Sequence, residues 1–222
     1  MKITVDIPDL SGLRPQNSVL YLSRYWTGGG PKDVLSYALV MNLVRLVDLT
    51  VSDYENRRQC IEMYWNTHTG VAMGAAIAAS GHFESCITNV HRSILYLRAL
   101  RTKRSVSPAL KRTLPESAEH LDKRVGPVVR DVRNAIHHLD GDITHSRLGD
   151  EHWLCLIPQG EIRCHDGQEI KRIDRIKLWD KEIRFGSLAK WLQDLNEIAR
   201  ILAGYRELTS VDGLGDRPRP PL

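Results

Sequence analysis

Between residues 130 and 140 the chain reads Arg-Asp-Val-Arg-Asn-Ala-Ile-His-His-Leu-Asp. Wound on a helix at about 100° per residue, Val128, Val129, Val132, Ile136 and Leu139 share one arc. Arg130, Arg133, Asn134, His137 and His138 share the opposite arc. Arg133 and His137 are four residues apart, as are Asn134 and His138, so each pair is adjacent on the helix surface. Two guanidinium groups, an amide and two imidazoles on one wet flank are the groups needed to break an RNA phosphodiester without a metal. An imidazole, with an ordinary pKa of about 6.5, can deprotonate a ribose 2′-hydroxyl or protonate a departing 5′-oxygen at neutral pH. A guanidinium holds a permanent charge and a fork of donors against the extra negative charge on five-coordinate phosphorus.

Arg133-Asn134-x-x-x-His138 resembles the Arg-x(4–6)-His motif of the HEPN superfamily, in the frequent form with Asn directly after Arg. The spacing alone is common, and Arg147 and His152 share it. The asparagine and the amphipathic helix set the 133–138 copy apart. The resemblance implies an antiparallel helical bundle and a metal-independent endoribonuclease with no cofactor. It implies a homodimer in which motifs from two protomers meet in one cleft. Relatives of this kind act in toxin–antitoxin, anti-phage and CRISPR systems, so an antitoxin or defence-system protein is an expected partner. Arg133 and His138 would be the catalytic pair and Asn134 the polar motif residue, with His137 and Arg130 in support at the phosphate. The alternative is a catalytically silent module of the same fold that binds RNA, a nucleotide or a protein. The resemblance covers roughly residues 31–140 and 186–206.

Metal chemistry fits less well. His137-His138-x-Asp140-x-Asp142 hints at a metal phosphohydrolase, but the usual adjacent His-Asp pair on a helix occurs only as His165-Asp166, within an expected hairpin turn. His152, Cys155, Cys164 and His165 suggest zinc. A turn of two residues (159–160) or of three (158–160) never gathers all four on one face, so buried thiols are the expectation. His68, His82, His91 and His120 lack spaced partners and read as structural or surface residues. Trp65, Trp153, Trp179 and Trp191 read as core.

The charge agrees with a polyanionic partner. The 222 residues carry 31 Lys plus Arg against 27 Asp plus Glu, a net +4. Ten basic residues against four acidic ones make the 98–133 stretch +6, leaving −2 for the remainder. Arg101, Lys103, Arg104, Lys111, Arg112, Lys123 and Arg124 of this stretch are the candidate RNA-binding residues. Hydrophobic residues are 42% and charged residues 26%, which excludes global disorder. The sequence shows no secretory leader and no apolar run near 18 residues, and only four cysteines. A cytoplasmic protein without a membrane span is expected.

The elements that must position the flank follow from periodicity. The expected fold is mainly α, a helical bundle with a small antiparallel β-meander. Residues 1–30 should form a strand (alternating Ile3, Val5, Ile7) and then loop. Residues 31–149 should form the helical core. Helices are expected from Pro31, from a capping box at Ser52-Asp53-Tyr54-Glu55, from about 82 to 104, and from 115 to 139. The last should kink at Gly126-Pro127 and stop at Asp140-Gly141. Residues 150–185 should form the meander, with turns at 158–160, 166–167 and 180–181. Residues 186–210 should form a helix capped by Ser187 with Leu188, Trp191, Leu192, Leu195, Ile198 and Leu202 on one stripe. Residues 211–222 should be a disordered tail.

Overall fold

Two 33-residue helices, α2 (Val34–Asn66) and α3 (Gly70–Thr102), form the spine of the chain. They run antiparallel: Arg57 of α2 donates to the Ala79 carbonyl at 3.1 Å, and Ser85 of α3 donates to Asp53 at 3.1 Å. The structure, a computed structural model, describes residues 2–13, 16–66, 70–145, 156–165 and 168–207. Within these, α2 continues through Ser52 without restarting, because Val51 and Tyr54 keep its buried stripe in register. It begins at Val34, where the Asp33 carboxylate accepts from the Ser36 amide at 2.7 Å, rather than at Pro31. α3 likewise begins well before residue 82 and takes in the small-residue run.

A helix stands where loop was expected: α1, Asn17–Trp26. Its local sequence has no cap of its own. The buried Asp48 carboxylate of α2 supplies one, accepting from the Asn17 amide at 3.2 Å and the Ser18 amide at 2.7 Å. A long-range cap of this kind leaves no local signal. Short helices α4 (Pro108–Arg112) and α5 (Ser117–His120) lead into a π-helical segment, Leu121–Val125, and then α6, Gly126–Thr144. The expected irregularity is therefore present but lies just upstream of Gly126-Pro127. Pro127 follows the π segment within one continuous helix, so its missing N–H leaves an upstream carbonyl to other donors; the Asp122 carbonyl accepts from Arg98 Nη2 at 3.4 Å. α6 does not stop at Gly141 and runs to Thr144; one interior glycine costs a helix only about 1 kcal/mol.

The sheet is mixed rather than a purely antiparallel meander. Strands β2 (Ile157–His165), β3 (Gln168–Leu178) and β4 (Lys181–Arg184) pair antiparallel, but β1 (Lys2–Val5) joins β3 in parallel. The N-terminal strand and residues 157–184 thus belong to one four-stranded sheet. Pro158-Gln159-Gly160 is not a turn. It lies inside β2 at a bulge between Gln159 and Gly160. A Cβ at Gly160 would fall 1.5 Å from the Arg172 carbonyl oxygen, so the strands can approach here only because residue 160 is glycine. Ile173, Ile176, Leu178 and Ile183 face the core, and the other side of the sheet is charged.

α7 (Phe185–Gly204) packs on α2 with Leu188, Leu192, Leu195, Ile198 and Leu202 buried and Trp191 half-buried. Each buried aliphatic contributes about 1.5–3 kcal/mol relative to exposure. The helix starts at Phe185 with Arg184 extended before it, so Ser187 is not its cap. Phe185 meets Phe83 of α3, ring centroids 5.4 Å apart. One described helix segment, Val34–Tyr64, is long and apolar enough by length and composition to cross a membrane, although no such run was read from the sequence. In the fold 56% of its apolar window is buried within the chain, and it is the central helix of the core.

Candidate functional site

α6 packs on α3 along one edge and on β3 and β4 along the other. Its buried side carries Val129, Val132, Ala135 and Leu139; of the expected arc, Ile136 is half-buried and Val128 is exposed at the margin. The strip left open holds Arg130, Arg133, Asn134, His137 and His138. Arg133 and Asn134 are half-buried, and the other three are exposed. Arg133 and Asn134 are linked, Nη1 donating to Oδ1 at 3.3 Å. Arg133 and His138 are five residues apart, about 140° around the helix, so they mark opposite edges of the strip with Asn134 between them.

The Arg133 edge faces α3. A Cβ at Gly126 would lie 3.3 Å from Ile94 Cγ2 and 3.7 Å from Arg98 Nη2, which fixes the register of the two helices. That seam brings in a residue read from the sequence as structural or surface, His91. Its half-burial, and then the charges of Arg133, Arg130, Arg98 and His137, hold its imidazole below the ordinary 6.5. The seam is therefore cationic, and among the described residues no carboxylate pairs with Arg133. Arg133 Nε is buried without a hydrogen-bond partner. Arg130 reaches only its neighbour Asp131, at 3.4 Å. His91 leaves no motif in the sequence; the helix packing register alone places it against α6.

The far edge faces the sheet. The Asp180 carboxylate, and more weakly Asp131 of α6, hold the Lys181 ammonium above the ordinary lysine range.

The basic stretch before α6 is partly neutralised. Asp122, in the π segment and 6% exposed, accepts from Arg98 Nε at 2.5 Å and from Arg101 Nη1 at 2.8 Å. Glu119 takes a second contact from Arg101 at 3.4 Å and pairs with Lys123. Lys103, Arg104, Arg112 and Arg124 are exposed and enter no ion pair among the described residues, and Lys111 is half-buried. Of seven basic candidates, two are thus held by carboxylates of their own chain.

A second polar concentration lies on the outer face of the sheet. A cavity of about 370 Å³ is lined by Asp6, Glu161, Arg163, Arg172, Asp174, Arg175, Arg184, Gly186 and Ser187. Arg175 contacts Asp174 at 2.8 Å, Glu161 at 2.9 Å and Glu182 at 3.3 Å; Arg172 pairs with Asp6 and Arg163 with Glu161. Among the described residues no group of three or more His, Cys, Asp and Glu is arranged to hold a metal ion. His152 and Cys155 of the zinc alternative lie outside them. Cys164 is exposed on β2, and the turn on which that register argument rested does not exist. No family model, curated protein or solved structure matches the chain.

Proposed function

We propose that the protein is a metal-independent endoribonuclease of HEPN type, acting as a toxin or anti-phage effector. The observation that carries this reading is the uncompensated Arg133 at the α3–α6 seam, on a helix strip that also presents Asn134, His137 and His138. The ribose 2′-hydroxyl attacks its own phosphorus, and the 5′-oxygen leaves, giving a 2′,3′-cyclic phosphate and a 5′-hydroxyl. Arg133 stabilises the charge that builds on the non-bridging oxygens. His138 supplies the proton to the departing oxygen. Asn134 spans the two positions, and His137 and Arg130 hold flanking phosphates. Lys103, Arg104, Lys111, Arg112 and Arg124 lead the strand in, with weaker parts for Arg101 and Lys123. A second copy of the chain completes the cleft, as the resemblance implies; sedimentation velocity checks this, a monomer at working concentration counting against it.

The test is RNA cleavage in excess chelator by the wild type, Arg133→Ala and His138→Ala. Loss in both variants with unchanged thermal unfolding is expected. Full activity in both overturns the reading, and salt-sensitive RNA binding without cleavage would leave a binding module instead. Expression should slow host growth, and the double variant should not.

A further inference from the structure

A nucleophilic 2′-hydroxyl needs a base that is unprotonated at working pH and lies beside the guanidinium holding the phosphate. The imidazoles of α6 are exposed on the open strip, and one of them, His138, already serves the departing oxygen, so a second, more recessed ring beside Arg133 is wanted. α3 and α6 run antiparallel with Gly126 against Ile94 and Arg98. Both helices rise equally per residue, so seven residues forward on α6 correspond to seven back on α3. From Gly126 and Arg98 that step arrives at Arg133 and His91. His91 is half-buried in the seam, while Arg133 beside it has a buried Nε with no partner. We propose that His91 is the general base of this site and takes the proton of the attacking 2′-hydroxyl, an assignment that rests on the ribonuclease reading above.

The groups around it suit that task. Arg130, Arg133 and His137 face it from α6. Arg98 flanks it on α3, anchored by Asp122 of the π segment. All four charges disfavour an imidazolium, and so does half-burial, which keeps the lone pair available at neutral pH. In the step, a ring nitrogen of His91 accepts the 2′-hydroxyl proton as the 2′-oxygen bonds to phosphorus. The bond from phosphorus to the 5′-oxygen breaks, and that oxygen takes a proton from His138. His91 then loses its proton to water and His138 regains one, so the cycle balances without oxidant or reductant.

The experiment is kcat/KM against pH in excess chelator for wild type, His91→Gln and His91→Ala, the last also with added imidazole. Binding of an all-2′-deoxy strand and thermal unfolding are followed in parallel. A fall of about 100- to 10,000-fold is expected in both variants. The acid limb of the wild-type profile, lying below pH 6.5, should disappear. Imidazole should restore part of the rate to His91→Ala, and strand binding should be retained. Wild-type rates in either variant, an unchanged acid limb, or a loss that imidazole does not relieve overturns the assignment. If the wild type cleaves and the His91 variants cleave equally, only His91 is displaced. If the wild type does not cleave, the ribonuclease reading falls with it.

Discussion

Arginines gather at two places in this molecule, and one of them, Arg133 at the α3–α6 seam, is treated unlike the arginines of the sheet. On the outer face of the sheet, Arg163, Arg172 and Arg175 each meet a carboxylate, and Arg175 meets three. At the α3–α6 seam, Arg133 meets none among the described residues, and it acts on His91 together with the basic groups Arg130, Arg98 and His137. A compensated guanidinium has little left to offer a phosphate, because an incoming anion must displace an ion pair already formed. An uncompensated, half-buried one raises the energy of the empty site and regains it when an anion arrives. On the proposed reading the larger cluster is thus the structural one, and the smaller cluster is the chemical one.

The sharpest way to break this contrast is to remove one arginine from each place. Arg133→Ala should lower RNA cleavage by about 100- to 1,000-fold, the usual cost of losing one preorganised donor to a developing oxyanion. Arg175→Met should leave cleavage unchanged; equal losses in both would erase the distinction. Asp122→Ala comes next. It strips a buried carboxylate from half-buried Arg101 and exposed Arg98 and should cost about 2 kcal/mol in denaturant unfolding, because only Arg101 is left with a charge that solvent does not fully screen. An unchanged midpoint would show that the pairs contribute nothing. Arg175→Met itself should cost about 1 kcal/mol or less, because its partners are largely solvated.

The smallest expected effect concerns pH. The folded state holds the His91 imidazole below its ordinary value, so below pH 6.5 the unfolded chain binds the proton more readily. The contribution of His91 to stability is complete above pH 6.5 and is lost as pH falls through the lower folded value. Replacement by Gln should flatten the stability profile in that acid window. A profile identical to the wild type would mean that neither burial nor the seam charges hold the His91 imidazole down.

Much of the fold is readable from periodicity. The stripe of α7 stands where hydrophobic spacing puts it, and so does most of the buried arc of α6, with Val128 exposed at its margin. What periodicity missed was set at a distance. α1 is capped by Asp48, 31 residues away from Asn17, so its own sequence reads as loop. The supposed turn at 158–160 is a bulge, because Gly160 is demanded by the Arg172 carbonyl across the strand pair and not by a reversal of the chain. β1 joins the sheet in parallel, a pairing that no local turn announces. His91 belongs to the same class. A lone histidine beside an apolar stripe carries no motif, and the helix register alone delivers it to Arg133.

The central claim, that this seam makes a ribose 2′-hydroxyl attack its neighbouring phosphorus, is tested most directly on one oligonucleotide pair. The first is all RNA, and the second carries a single 2′-deoxy substitution at the preferred cut site. In excess chelator the wild-type protein should cut the first, leaving a 2′,3′-cyclic phosphate and a 5′-hydroxyl, and should bind the second without cutting at the substituted position. Cleavage at the deoxy position, or 5′-phosphate ends on the products, would contradict the account.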